Sequence, residues 1–442
     1  MKKILIITPY IPYPIDSGGN QAVFTMIDNL RKHYSVSLLL AAKKSNGNVT
    51  ALKKIWTDIN FYIYDKMDAE SGSIPLKLKM LTYFADSFCR KYNRYFYKAL
   101  PKRYGTDSLL RRRTLLNMKH VNLDQDYCRY VNRIANLGFD IIQTEFYDLL
   151  ELCYFLPQNV TKVFVHHEIG FVRRKNELDL LQAPTCADFA AYHQHKDMEI
   201  AMLKRFDHII TLTENDKKIL SGYIAEDRIH VSPAIVNSSD AMDFTECGHE
   251  FVFIGSQSHF PNNDAVNWLC EKILPELRFK MEYFKIYIVG NWGKKIKRRI
   301  LKQNREVIFT DYIKNLGQFL NGKISIIPIR IGSGMRMKIL DAIWACSPFI
   351  TTSKGVEGQN FVNGVDCITA DTPESFSEAM TMLSEDIDLQ KKIAMNAMKD
   401  IKDAYAPEKM TKQREDIYEK ILNKQISGLD AQKTNGLMSD FS

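Results

Sequence analysis

Ile324-Ser-Ile-Ile-Pro-Ile-Arg-Ile-Gly-Ser-Gly-Met-Arg-Met-Lys-Ile-Leu-Asp-Ala342 is the stretch on which the fold turns. The apolar run from Ile324 to Ile329 has the length and β-branched content of a buried central strand, ending at Pro328. Gly332 and Gly334 follow, and glycine permits backbone angles there that a side chain forbids. A helix is predicted to open near Ser333 to Arg336. Its free N–H groups and dipole point at an anion, and Arg336 and Lys338 add two positive charges within one turn. Asp341 lies two helical turns after Ser333, which puts both on one face. A carboxylate there accepts hydrogen bonds from ribose hydroxyls while the turn holds a diphosphate. A bare Gly-x-Gly joins strand to helix in many α/β proteins; the Arg-x-Lys and the downstream carboxylate make this one a phosphate cradle.

The rest of the chain alternates strand and helix in the same rhythm. Phe251-Val-Phe-Ile-Gly-Ser-Gln-Ser-His-Phe-Pro-Asn-Asn-Asp-Ala-Val-Asn-Trp268 reads as strand, loop and helix, with Asn262 or Asn263 as the cap and Val266, Leu269 and Ile273 on the apolar face. Ile286 to Gly290 and Val307 to Asp311 are further strands, and Pro348-Phe-Ile-Thr-Thr-Ser-Lys-Gly-Val-Glu-Gly358 is a strand running into a glycine turn. In the amino-terminal half, Lys2 to Pro9 is a buried first strand whose loop, Tyr10 to Gly19, leads into a helix bearing Val23, Met26, Ile27 and Leu30. A strand that begins almost at the initiator methionine leaves no room for a signal peptide. Val36 to Leu40, Phe139 to Glu145, Thr161 to Glu168 and His208 to Thr213 continue the series. Such alternation predicts parallel sheets with ligands at the carboxyl ends of the strands.

A chain of 442 residues suits two domains, 1–240 and 250–405, divided in the Ser-, Asp- and Asn-rich stretch from Val236 to Glu250. A helix over about 406–423 follows, and the polar residues 424–442 are expected to be disordered. Eight scattered cysteines without a Cys-x-x-Cys fit a reducing compartment and exclude a disulfide framework. No apolar run approaches the ~20 residues that span a bilayer.

Net charge is +8, from 60 basic and 52 acidic residues, and the excess is local. Between Ser73 and Lys119, twelve Lys and Arg face only Asp86 and Asp107 and interleave with Tyr83, Phe84, Phe88, Tyr92, Tyr95, Phe96 and Tyr97. This basic aromatic insertion suits an anionic membrane surface, where each cation contributes about 1 kcal/mol and rings sit among the headgroups. A single-stranded nucleic acid groove mixes the same residues. A solvated helical insertion with core aromatics is the plain structural alternative.

The glycine loop with its Arg-x-Lys, the Pro-Asn-x-Asp-Ala helix start at 261–265 and the Gly-x-Glu-Gly turn at 355–358 stand in one order along the second half. In that order they resemble retaining glycosyltransferases of family four, also called group one. The resemblance implies the GT-B fold: α/β, with two Rossmann-like doubly wound parallel-sheet domains facing a cleft. The first would bind the acceptor and the second the nucleotide sugar, and the helix over 406–423 would cross back onto the first.

The resemblance also implies roles. Backbone N–H groups at Gly334 and Met335, with Arg336 and Lys338, would hold the diphosphate; Asp341 the ribose; Glu357 the donor sugar. His167, in a His-Glu pair at a strand end, would contact the transferred sugar. His166 competes for this place, because strand alternation lets only one neighbour face the cleft. By position rather than resemblance, Gly18 and Gly19 follow the first strand at the facing rim, where their backbone can approach the diphosphate or the acceptor or simply form a turn, and Glu145 at a strand end can orient an acceptor hydroxyl. Two departures stand out. The first of the family's two glutamates is Ser333 here and the second is the shorter Asp341. The loop Gly255 to Pro261 lacks the usual Arg and Lys, which leaves Arg336 and Lys338 as the cationic pair. No metal and no cofactor are expected, since preorganised donors stabilise the leaving diphosphate.

The activity implied is transfer of a sugar, with retention, from a nucleotide-diphosphate sugar to a glycan or lipid-linked acceptor in cell-surface polysaccharide biosynthesis. The partners are then the nucleotide-sugar donor, that acceptor and an anionic membrane surface, with no nucleic acid. The place is cytoplasmic, peripheral at the inner face of the cell membrane. A nucleotide-sugar 2-epimerase on the same fold and a noncatalytic nucleotide-sugar-binding subunit are the alternatives.

Overall fold

A computed structural model describes residues 1–439 other than 16, 67–115, 117–122 and 236–241. The basic aromatic segment, Leu116 apart, lies outside the described residues, as does the beginning of the expected domain boundary.

Seven parallel strands form the first sheet, in the order β3 (Asn60–Tyr64), β2 (Ser35–Ala41), β1 (Lys3–Thr8), β4 (Ile141–Glu145), β5 (Thr161–His166), β6 (His208–Thr211) and β7 (Ile229–Val231). Six form the second: β10 (Val307–Thr310), β9 (Lys285–Val289), β8 (Glu250–Ile254), β11 (Ile324–Ile327), β12 (Phe349–Thr351) and β13 (Ile368–Thr369). Helices cover both faces, which is why β1 reads as one apolar run. Ile4 and Ile6 pack on one side and Leu5 and Ile7 on the other, all four fully buried. In each sheet the direction of strand addition reverses beside the first strand, between β1 and β4 and between β8 and β11. Loops leaving such neighbours diverge and open a crevice. The crevices of the two sheets are lined by the loops after β1, β4, β8 and β11.

Three strands, β3, β7 and β13, carry no clear sequence signal. All stand at or beside a sheet end, and β7 and β13 are only 3 and 2 residues long. Two local expectations change. The strand β11 stops at Ile327, before the proline that has no N–H for the ladder, and the following helix is Met337–Trp344. Helical structure thus begins a turn later than expected, because Arg336 is extended (φ −88°, ψ 91°). Residues 328–336 are loop, and Ser333 and Asp341 do not share a helical face. The helix Phe260–Trp268 is entered at His259, without a side-chain cap. Asn262 sits inside it, its amide free for other partners.

The C-terminal helix, Pro407–Ser439, meets no proline and continues beyond residue 423, where the sequence predicts a disordered tail. It lies against the first sheet: Gln413 Nε2 donates to the Val231 carbonyl (2.9 Å), Arg414 Nε donates to Ser232 Oγ (2.8 Å), and Tyr418 meets Tyr34 edge to face at 5.6 Å. No described helix is long and apolar enough to cross a membrane.

Candidate active site

The loop 328–336 brings the two sheets together. Gly332 (φ +122°) and Gly334 (φ +76°) need glycine for their backbone angles and again for space. A Cβ at 334 would lie 2.0 Å from the His167 carbonyl oxygen, and one at 332 would lie 2.9 Å from Glu168 Oε1. Ser333 Oγ accepts the Ile169 amide at 2.6 Å, and the Gly332 amide donates to Asn176 Oδ1 at 3.1 Å. The cradle of the second lobe is therefore seated on the end of β5 in the first.

Arg336 is buried and turned back on its own loop. Nη1 donates to the carbonyls of Ser333 and Gly334 (2.7 Å to the latter), and Nη2 to that of Lys354 (3.3 Å). Burial lowers its pKa, against the raising influence of Glu168, Asp216 and Glu357. Its charge acts from behind the cradle. Lys338 reaches Asn262 Oδ1 at 2.6 Å and lies 4.4 Å from the Phe253 ring centre. Burial, then the charge of Arg336, pushes its pKa down to about 7, while burial pushes Asp341 up to about 7 against the pull of Lys338. The two expected cations thus divide into one that holds the loop's own carbonyls and one that reaches the helix Phe260–Trp268 through Asn262. Met335 is buried beneath them.

His166 and His167 part as alternation demands. His166 is buried and bonds Glu199 at 2.9 Å. His167 keeps 15% of its side chain exposed, and its Nε2 meets Glu145 Oε2 at 2.6 Å. Phe146 stacks on the His167 ring, centres 4.0 Å apart and planes 12° apart. To do so it holds φ +66° and ψ 150°, a region that costs a side-chain-bearing residue about 1–3 kcal/mol. Glu145 is fully buried under His167, placed to hold that ring and not to meet an acceptor hydroxyl directly.

Gly18 and Gly19 are the first residues of the helix Gly18–Leu30, capped by Ser17 Oγ accepting the Asn20 amide (3.2 Å). A Cβ at 18 would lie 2.7 Å from Met337 Cβ, so this end of the first lobe abuts the cradle helix. Glu357 accepts from Lys354 Nζ at 2.6 Å, and a Cβ on its neighbour Gly358 (φ +78°) would come within 2.9 Å of Thr213 in the first lobe.

Three acting residues carry no assigned role in the sequence. Asn262, read as a cap, links the cradle to the loop after β8 through Lys338 and the Ser256 carbonyl (3.0 Å). Glu168 contacts Arg173 (3.1 Å) and His259 (3.5 Å); burial raises its pKa, but the His259 bond and the charges of His259, Arg173 and Arg336 outweigh it and hold it at about 2. Asp216 is buried with its carboxylate raised by burial, against Thr213, His166, Arg336 and the nearby Gly334 amide; neither oxygen makes a well-formed hydrogen bond among the described residues. Only the strand-end position of Glu168 and the first-turn position of Asp216, in the helix capped by Thr213, hinted at them.

Two Asp-x-Asp pairs occur, and both open helices. Asp124 accepts the Asp126 and Tyr127 amides, and Asp386 accepts that of Leu389. Among the described residues no group of three His, Cys, Asp or Glu is placed to hold a metal ion.

Residues 248–386 match the family described as glycosyl transferases group 1. The second lobe is a group 1 glycosyltransferase domain. The match runs from the strand β8 to the helix Pro373–Glu385 and contains the whole glycine loop 328–336 of this glycosyltransferase domain. No curated protein sequence matches the chain. Solved structures do. TarM of S. aureus, in complex with fondaparinux, α-GlcNAc-glycerol and UDP, is similar at TM-score 0.64 and 11% identity, covering 95% of this chain and 100% of that one. HepE of Anabaena with UDP and glucose is similar at TM-score 0.63 and 11% identity, over 95% and 100%. Sucrose-phosphate synthase of Thermosynechococcus elongatus gives 0.65 and 12%, over 96% and 100%. The fold is GT-B, with the glycosyltransferase domain as its second lobe.

Proposed function

We propose that this chain transfers a sugar, with retention of anomeric configuration, from a nucleoside-diphosphate sugar to a glycan or lipid-linked acceptor. Residues 250–405 take the donor and 1–240 the acceptor. One observation carries the reading: the glycine loop meets the His167–Glu168 strand end across the cleft, with Lys338 and Asp341 beside it. A departing nucleoside diphosphate gains negative charge as the glycosidic bond breaks, and the amides of Gly334, which lies beside the Asp216 carboxylate, and of Met335 would be its donors together with the Lys338 ammonium. The role first given to Arg336 changes from direct contact to holding the loop carbonyls. Asp341 takes the ribose, Glu357 and His167 the donor sugar. No metal is assigned a step. Like the HepE and TarM complexes, which contain UDP, this chain is expected to accept a uridine or related diphosphate.

The acceptor is proposed to belong to a cell-surface polysaccharide presented at the cytoplasmic face of the membrane. The support is the cationic, aromatic sequence of 73–119. A panel of nucleotide sugars with and without chelator is the test. Release of free nucleoside diphosphate and an α-configured product from an α-configured donor are expected. Isomerisation without release makes the chain an epimerase, and binding without turnover makes it a binding subunit. Flotation with anionic and neutral vesicles tests the membrane; equal, negligible binding to both removes it.

A further inference from the structure

A line of buried polar groups runs from the C-terminal helix to His167. Tyr418, fully buried on that helix, donates its hydroxyl to Gln143 Oε1 on β4. Gln143, also fully buried, donates through Nε2 to Glu145 Oε1 at the end of the same strand. Glu145 Oε2 then takes His167 Nε2 at 2.6 Å. Each link fixes the next. A tyrosine hydroxyl that donates leaves the Gln143 oxygen as acceptor and its NH2 as donor, and a carboxylate accepting on both oxygens requires a proton on Nε2 of the ring. The Phe146 ring, held in its strained backbone, closes off one face of the imidazole.

We infer that Tyr418, Gln143 and Glu145 are positioning residues that set the tautomer and direction of His167, leaving its Nδ1 as the atom offered to the cleft. The line joins the C-terminal helix, the first-lobe sheet and the strand end against which the donor cradle rests. An unpaired buried carboxylate or amide is costly, so a satisfied chain of this kind holds one arrangement firmly. The partner of one ring nitrogen fixes an imidazole's tautomer; for histidines that hold a metal, loss of such a partner typically lowers function 10- to 100-fold, and the same scale is expected here. The inference rests on the glycosyl-transfer reading for its kinetic consequence, but its geometry is tested separately.

The full-length chain, labelled with 15N-histidine, is compared with Glu145→Gln and Tyr418→Phe. His167→Gln assigns the signal. Two-bond proton–nitrogen correlations of the wild type are expected to show a proton on Nε2 of His167. Glu145→Gln, whose amide can donate to the ring, introduces the Nδ1–H form and lowers kcat about 10- to 100-fold at little-changed donor KM. Tyr418→Phe removes one hydroxyl while keeping the ring; it lowers kcat about threefold to tenfold and broadens the His167 signal, by the same mechanism at one remove. A wild-type His167 without a proton on Nε2 overturns the inference. So do variants whose tautomer and kcat both match wild type. If Glu145→Gln does not fold, Tyr418→Phe decides by the same two measurements. A wild-type chain inert toward every donor sinks the glycosyl-transfer reading alone, because the tautomer still reports on the relay.

Discussion

His166 and His167 are neighbours on one strand end, and each bonds a fully buried glutamate, yet the surroundings of the two glutamates differ. Glu199, behind His166, also accepts the amides of Gly170 (2.9 Å) and Phe171 (2.8 Å). It ties down the start of the helix Gly170–Asp179 and has no face toward the cleft. Glu145, behind His167, accepts a side-chain amide instead and presents an imidazole that is open on one side. A carboxylate spent on main-chain amides secures a turn of structure; one that is backed by side chains aims a ring.

The sharpest way to break this comparison is to remove each histidine. His167→Gln should lower turnover about 10- to 100-fold, the value of a strong hydrogen bond lost from the donor sugar, with a nearly unchanged melting temperature, because the new amide can still donate to the buried Glu145. Equal activity would end the assignment of His167 to the site. His166→Ala should do the opposite, costing roughly 3 kcal/mol of stability by leaving a buried carboxylate short of its partner. Urea denaturation measures it; a shift below about 1 kcal/mol would mean that the two backbone amides, with His195 3.7 Å away, satisfy Glu199 without His166.

The cradle offers a second pair of unlike neighbours. Lys338→Ala should weaken nucleoside diphosphate binding about tenfold or more, the value of a charge-assisted hydrogen bond. Arg336→Ala should act mainly through the loop, lowering stability along with affinity. Unchanged nucleoside diphosphate affinity in both variants would remove the cradle altogether.

The smallest effect is in pH. With the Lys338 pKa depressed to about 7, its charge is lost above that point in the free protein, and a bound diphosphate favours its return. Affinity should fall as pH rises above 7, up to tenfold per unit, and binding should take up a proton, read by calorimetry in buffers of different ionisation heat. The stability signs are opposite for the two cradle groups. The raised Asp341 pKa contributes stability that is present below its ordinary carboxylate range and lost as pH climbs to about 7. The lowered Lys338 pKa contributes stability that is present above the ordinary lysine range and lost as pH falls to about 7. Their joint contribution is least near pH 7, and Asp341→Asn with Lys338→Met should flatten that minimum in denaturation curves.

The strand and glycine loop were legible in sequence because their signals are local: two glycines, an Arg-x-Lys and an apolar strand within one short stretch. Its helix start was misplaced because Arg336 looks like a first-turn cation, while its side chain instead bonds the loop's own carbonyls. The succession of strands along the chain was legible from apolar runs, except where β3, β7 and β13 are too short or too exposed to show one, and their order across the sheets was not. The partners of the histidines were not legible. Glu199 follows His166 at a distance set by helix packing, and Tyr418 reaches Gln143 from the far end of the chain; no spacing rule connects such pairs.

The Cβ that would stand 2.0 Å from the His167 carbonyl has a consequence for how this sequence can change. Position 334 is barred to larger residues by another lobe's main chain as well as by its own turn. The glycine loop and the end of β5 therefore form one unit of inheritance, and a cradle grafted from a relative would need its own strand end to come with it.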